Sequence, residues 1–149
     1  MDSTASEGKR DDFIVMKLII VELFSNITLK FRNIEAIIDT GASKTTIAAH
    51  ITEELGISTK GSLLHHWQAN CPVIGTEIPL KIRYKSSVYN IKANCIEIEG
   101  KYLRNIQPTE ECTRPEYFHP LKYRILLGLD FIDSISQKDK FELFGLIIK

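Results

Sequence analysis

A single carboxylate at the end of an apolar segment is the feature of this sequence best suited to chemistry. Asp39 follows Ile37 and Ile38 and is followed at once by Thr40 and Gly41. Because a buried carboxylate without a partner is costly, an Asp in such a place is kept when it has a partner or a function. The Thr40 hydroxyl can hydrogen-bond locally, and Gly41 lets the backbone approach another group closely. The pattern therefore predicts a carboxylate held rigidly in a tight loop, beside a second one.

Two segments of the chain, read together, resemble the retropepsin-like aspartic proteases, which include retroviral and retrotransposon proteases and the protease-like domain of ubiquitin-shuttle proteins. The first segment is residues 37–43, and the second is residues 125–131, which reads Ile-Leu-Leu-Gly-Leu-Asp-Phe. In that family an apolar-apolar-Asp-Thr/Ser-Gly segment is followed, after a hairpin called the flap, by an apolar-apolar-Gly segment that threads the catalytic loop. The resemblance spans residues 27–149. It implies an all-β, closed-barrel-like retropepsin (acid protease) fold with one or two short helices.

The chemistry that this resemblance implies needs two carboxylates. Peptide hydrolysis requires a base that takes a proton from water and an acid that protonates the carbonyl oxygen. The chain contains one Asp-Thr/Ser-Gly sequence, so the expected enzyme is a homodimeric aspartic endopeptidase in which Asp39 meets its symmetry mate. By resemblance, Thr40 bonds across to the partner loop and Gly41 donates its backbone N–H to the carboxylates.

The expected substrate is a polypeptide in extended conformation, bound by strand addition between the flap and the catalytic loop. Trp67 is expected either to contact substrate or to anchor the hairpin, and the sequence favours neither role. The residues expected to contact substrate are Ala42, Ile38, Ile47, Trp67, Ile74 and Leu127.

A second hypothesis keeps the fold and removes the chemistry, giving a catalytically inactive dimeric peptide-binding or scaffolding module. An intact Asp39-Thr40-Gly41 favours the enzyme. Ser43 and Leu129 stand where retroviral enzymes often carry an Asp and an Arg that pair with each other. Because this chain lacks that Asp–Arg ion pair, it resembles the retrotransposon-like and ubiquitin-shuttle branches more than the retroviral enzymes.

Composition narrows the partners and the compartment. The chain has 149 residues, and 44% of them are hydrophobic. Its 19 basic and 19 acidic residues balance, so the net charge gives no reason to expect nucleic acid or a membrane surface as partner. The three cysteines are odd in number and form no Cys-x-x-Cys pair, which favours a reduced, cytoplasmic setting. No cofactor is expected. His65 and His66 are not expected to bind metal with Cys71, because adjacent residues on a strand face opposite sides.

Residues 1–12 are polar and predict a disordered tail, which leaves residues 13–149 as one protease-like domain. Residues 13–24 predict a first strand, and residues 45–55 predict a helix closed by Gly56. We expect a long loop over residues 100–123, a helix capped by Asp130 that runs to about residue 137, and a final strand over residues 141–148. Alternation of apolar and polar residues predicts three hairpins, namely 27–31 with 34–38, 63–69 with 73–78, and 78–84 with 88–98.

Overall fold

The computed structural model describes residues 16–60, 63–68, 71–99, 102–103 and 120–145. The predicted tail at residues 1–12 and most of the predicted loop at residues 100–123 lie outside these ranges. The described elements, in chain order, are β1 Met16–Phe24, β2 Phe31–Asp39, β3 Thr46–Ala48, α1 Ala49–Glu54, β4 Leu63–Gln68, β5 Cys71–Tyr84, β6 Ser87–Ile96, β7 Ile98–Glu99, β8 Tyr102–Leu103, β9 Arg124–Leu127, α2 Leu129–Ile132 and α3 Gln137–Phe144.

Six of these strands close into a barrel. Their order is β1-β2-β9-β3-β6-β5, and β5 pairs back onto β1, while β4 extends the sheet beyond β5. At the closure Glu22 lies opposite Arg83 and pairs with it at 2.6 Å. The hydrogen bond from Arg83 lowers the pKa of the Glu22 carboxyl. The predicted all-β, closed-barrel-like fold is confirmed, with three short helices in the described residues instead of one or two.

The barrel interior is filled by alternate side chains of the strands, because successive residues of a strand point to opposite faces. On β2 these are Ala36 and Ile38, and on the parallel strand β9 they are Ile125 and Leu127. Their companions from the other strands include Val21, Leu23, Ile47, Ile78, Leu80, Ile82, Ile91 and Ala93. Ile37, Asp39 and Leu126 are consequently on the opposite face of the sheet.

The predicted pairing of residues 27–31 with 34–38 is wrong, because β2 pairs with residues 16–24 of β1 instead. The expected turn at residues 32–33 is wrong, because β2 runs unbroken from Phe31 and pairs with β1 along its whole length. The chain reverses earlier, where the buried Ser25 hydroxyl accepts hydrogen bonds from the backbone N–H groups of Ile27 and Thr28. A serine side chain that binds nearby amides replaces backbone pairing and favours a turn.

The other two hairpins are confirmed. In the hairpin of β4 and β5, Gln68 lies opposite Cys71, so Cys71 and Pro72 belong to the strand and not to the expected turn. The hairpin of β5 and β6 turns at Lys85 and Ser86, whose φ angles are 50° and 75°. Two successive positive φ angles are typical of the tight turn whose twist matches the flanking strands.

The helices are shorter than predicted, and one predicted strand is a helix. Residues 46–48 form β3, and only Ala49–Glu54 is helical, ending before Gly56 at a φ of 67°. The helix expected from Asp130 to about residue 137 ends at Ile132. The described part of the predicted final strand belongs to α3, which begins because the Ser136 side chain accepts from the Asp139 N–H. Among the described residues, no helix has the length and apolar character needed to cross a bilayer.

Leu127 and Leu129 lie on either side of Gly128 and provide a test of the barrel core. Leu127 is fully buried, whereas Leu129 is 38% exposed. We expect Leu127→Ala to lower the free energy of unfolding by about 2–5 kcal/mol through lost burial and a new cavity. Leu129→Ala should lower it by less than about 1 kcal/mol. Urea denaturation followed by circular dichroism measures both, and equal losses would show that Leu127 does not face the core.

Candidate active site

Asp39 is held at the end of a strand that is paired on both sides. β2 pairs with β1 in antiparallel fashion, with Met16 opposite Asp39, and with β9 in parallel fashion, with Leu127 opposite Ile38. The Asp39 residue is only 4% exposed. The paired strands therefore fix the backbone from which this carboxylate projects.

The loop that follows Asp39 binds its carboxylate directly. The backbone N–H of Gly41 donates to Asp39 Oδ1 at 2.8 Å, and the N–H of Ala42 donates to the Asp39 carbonyl at 3.1 Å. Thr40 is half-buried between them. The three predicted catalytic residues thus form one tight turn in which a backbone amide orients the carboxylate. The predicted bond from Thr40 to a partner chain stays a prediction.

Gly128 passes against this loop at a distance that excludes a side chain. A Cβ at Gly128 would lie 2.7 Å from the Ala42 carbonyl oxygen and 2.8 Å from the backbone N and C of Lys44. The next residue, Leu129, donates its N–H to the same Ala42 carbonyl at 2.8 Å. The structure therefore brings together the two segments that the sequence singled out, and glycine is required at the point of contact.

Asp130 has a role that sequence reasoning missed. Instead of capping a longer helix, its carboxylate accepts hydrogen bonds from the backbone and hydroxyl of Thr45, 85 residues away. It also accepts from the N–H of Phe131 at 2.8 Å. The Gly-x-Asp spacing was visible in the sequence, but the partner was not, because contacts between distant residues depend on the folded chain.

A lysine links the same loop to the barrel wall. Lys44 Nζ lies 3.2 Å from a Glu77 carboxylate oxygen on β5 and 3.3 Å from the Lys92 carbonyl on β6. Both side chains of the ion pair are about one third exposed. Near Ser43 and Leu129, backbone bonds connect the loop to α2, since the Asp130 N–H donates to the Ser43 carbonyl at 3.3 Å.

The structure places the residues predicted to contact substrate in different environments. Ile38, Ile47 and Leu127 are fully buried in the barrel core, on the sheet face opposite Asp39. Ile74 is 63% exposed on β5. Trp67 lies on β4 opposite Pro72, and its side chain, like those of His65, His66 and Cys71, lies outside the described part of the structure.

Ala42 belongs to a second, smaller apolar cluster outside the barrel core. Its other members are Val73 of the hairpin, Ile96, Leu121 and Leu126, and the half-buried Ile37 packs against it. Ile37 and Leu126 share the sheet face of Asp39, because each lies an odd number of positions from the core residues of its strand. Sequence alternation could have identified this face, but not which of the two faces was the interior.

Comparisons with known proteins find a likeness among solved structures. No protein-family model matches the sequence, and no curated protein is significantly similar to it. The chain is similar to the crystal structure of a retropepsin-like aspartic protease from Rickettsia conorii, with 15% sequence identity and a TM-score of 0.42. The alignment covers 82% of this chain and 84% of that chain. A likeness at this level does not establish a family.

Gly128→Ala tests the close passage of the chain beside Ala42. We expect it to destabilise the protein by about 1–3 kcal/mol, because backbone atoms must shift to admit the methyl group. It should also speed hydrogen exchange at the Leu129 amide, whose acceptor is the Ala42 carbonyl. Gly145→Ala is the control, since a Cβ there meets nothing within 4 Å and only the φ of 75° is unfavourable.

Urea denaturation and amide exchange measured by NMR separate the two variants. Gly145→Ala should cost roughly 1–2 kcal/mol through backbone strain alone and leave Leu129 protected. Unchanged protection of Leu129 in Gly128→Ala would show that the loop and Gly128 are not in contact.

Proposed function

We propose that this protein is a homodimeric aspartic endopeptidase that hydrolyses peptide bonds through a water molecule held between two Asp39 carboxylates, one from each chain. The observation that carries the proposal is the geometry of the Asp39 loop. The carboxylate is oriented by the Gly41 N–H at 2.8 Å, and Gly128 passes directly against the same loop. A rigid, preorganised carboxylate is what general acid–base catalysis requires.

The second carboxylate is proposed to come from a second copy of the chain. Asp130 is the acidic residue of the segment 125–131. Its carboxylate accepts hydrogen bonds from Thr45 and Phe131, so it is not available as an acid or a base. A twofold axis beside Asp39 supplies an identical carboxylate from the second copy, so the chain needs no second catalytic Asp of its own. One ionised Asp39 then activates water while the protonated Asp39 of its mate polarises the scissile carbonyl.

An exposed apolar surface beside Asp39 supports the dimer. Met16, Leu18 and Ile20 on β1 are each more than half exposed. They share the sheet face of Asp39, since Met16 pairs with Asp39 and Leu18 pairs with Ile37. A contiguous apolar surface on a folded chain marks an interaction site. A symmetric contact through this surface would bring the two Asp39 loops toward each other.

The proposed substrate is an extended polypeptide that lies between the hairpin of β4 and β5, acting as a flap, and the Asp39 loop. Ile37 and Leu126 replace Ile38, Ile47 and Leu127 as proposed substrate contacts, because they lie on the face of Asp39. Leu126 is 1% exposed and shares a cluster with Val73, so it becomes a contact once the hairpin moves. Ala42, Ile74 and Trp67 remain proposed contacts. The apolar cluster around Ala42 indicates a preference for apolar side chains next to the cleaved bond. We propose a cytoplasmic setting, supported by the buried, free thiol of Cys95, whose pKa is raised by burial.

One observation favours the alternative, a catalytically inactive dimeric peptide-binding or scaffolding module. Asp39 is 4% exposed, and Val73 of the hairpin packs in the same cluster as Ala42. For catalysis this hairpin must move so that substrate and water reach the carboxylate. A module that never opens would bind without cleaving.

Cleavage by the unmodified protein, and its loss in Asp39→Asn, decide between the two functions. The amide preserves the shape of the carboxylate but can neither take a proton from water nor supply one, so we expect peptide cleavage to fall by at least about a thousandfold. Asp133→Asn removes an exposed carboxylate directly after α2 and should leave activity unchanged. Cleavage of a denatured protein between pH 4 and pH 7, with and without pepstatin, measures both. Full turnover in purified Asp39→Asn would exclude Asp39 as the catalytic acid and base.

Leu18→Lys tests the shared site. A charge in the middle of the apolar surface should weaken the dimer, so activity per chain should fall more steeply on dilution than in the unmodified protein. Val88→Lys is the matched control, because Val88 is exposed but lies at the start of β6, beside the turn between β5 and β6. Analytical ultracentrifugation gives the association state. A monomeric protein with activity proportional to concentration would contradict the shared site.

A further inference from the structure

The carboxylate of Asp130 contacts the far end of the loop that begins at Asp39. Both Asp130 oxygens lie 3.0 Å from the Thr45 backbone nitrogen, and Oδ1 also accepts from the Thr45 hydroxyl at 2.8 Å. The same Oδ1 accepts from the Phe131 N–H at 2.8 Å. Thr45 is fully buried and Asp130 is half-buried, so water competes little for these bonds.

Every one of these partners is a donor, which explains why the residue is an acid. An ionised carboxylate accepts hydrogen bonds at both oxygens and donates none. In an asparagine, one of the two oxygens is replaced by an NH2 group. That group would face the N–H of Thr45 or the other two donors, the Thr45 hydroxyl and the Phe131 N–H. The site is therefore selective for a carboxylate over its closest neutral analogue.

Further hydrogen bonds run between the same two segments. The N–H groups of Leu129 and Asp130 donate to the carbonyls of Ala42 and Ser43. The N–H of Gly128 lies 3.4 Å from the Thr45 hydroxyl oxygen. The loop from Asp39 to Thr45 is thus held by β2 at its start and by the α2 segment at its end, and Gly41, which orients the Asp39 carboxylate, lies between the two anchors.

We propose that Asp130 is a positioning residue, which fixes the end of the Asp39 loop through Thr45 and so sets the geometry of the Asp39 carboxylate. The proposal rests on the proposed function of Asp39. Asp130 touches neither water nor substrate in the reaction. Its effect reaches Asp39 through the loop backbone, and small displacements of a catalytic group reduce the rate of the chemical step more than they reduce binding.

Four variants test the proposal. Asp130→Asn removes the acceptor that the site requires, and Asp133→Asn makes the same change at the exposed residue that follows the same helix. Thr45→Val keeps the shape of Thr45 and removes its hydroxyl, whereas Thr45→Ser keeps the hydroxyl. If Asp130→Asn fails to fold, the pair at Thr45 still decides the question.

The first measurement is kcat per active site, with sites counted by titration with a tight-binding inhibitor such as pepstatin. We expect Asp130→Asn and Thr45→Val to lower this kcat by about 10- to 100-fold, with KM changed by less than about threefold. Thr45→Ser should retain most of the activity, and Asp133→Asn all of it. A residue needed only for folding would reduce the number of titrated sites and leave kcat per site unchanged, which would overturn the proposal.

The second measurement does not depend on activity. The backbone amide of Gly41 donates to Asp39 Oδ1, so its proton chemical shift reports the position of the carboxylate. We expect this shift to move in Asp130→Asn and Thr45→Val and to stay in place in Asp133→Asn. An unmoved Gly41 signal would overturn the positioning role. If the unmodified protein cleaves nothing, the proposed function fails, and the Gly41 signal alone decides whether Asp130 sets the geometry of Asp39.

Discussion

The passage of Gly128 against the loop after Asp39 is the contact on which the rest of the site depends. Backbone atoms of Ala42 and Lys44 lie where a Cβ at Gly128 would be, so the two segments can meet only through glycine. This approach brings the N–H groups of α2 to the carbonyls of the loop. The barrel holds the two segments together, because they follow β2 and β9, and these two strands are neighbours in the sheet.

On β2 and β9, the residues of the barrel core and the residues of the proposed active site lie on opposite faces of the sheet. Along β2, Ala36 and Ile38 enter the core, while Ile37 and Asp39 face the other side. A change of one residue in register would exchange the two sets. The closed barrel prevents such a slip, because β2 is paired on both sides. The apolar cluster around Ala42 and the exposed apolar surface of β1 lie beside Asp39 on the outer face. A substrate and a second chain are proposed to bind there.

Local sequence predicted the elements whose signals are themselves local. The Asp39 turn, the hairpin at Lys85 and Ser86 and the end of α1 at Gly56 follow from turn and backbone preferences. The predicted turn at residues 32–33 and the predicted strand over residues 141–144 are wrong because Ser25 and Ser136 bind nearby amides and place the turn and the helix elsewhere. The partner of Asp130 and the facing of Ile38 depend on which strands pair, and periodicity alone does not contain that information.

The most direct test is the distance between the two Asp39 carboxylates in a crystal structure of the assembled protein. The account predicts a twofold dimer in which the carboxylate oxygens lie about 3 Å apart and share one proton, with room for one water between them and the substrate. It also predicts that the bond from Gly41 to Asp39 is kept in each chain. A dimer in which the two Asp39 side chains face away from each other, or a monomer with Asp39 enclosed, would contradict the shared catalytic site.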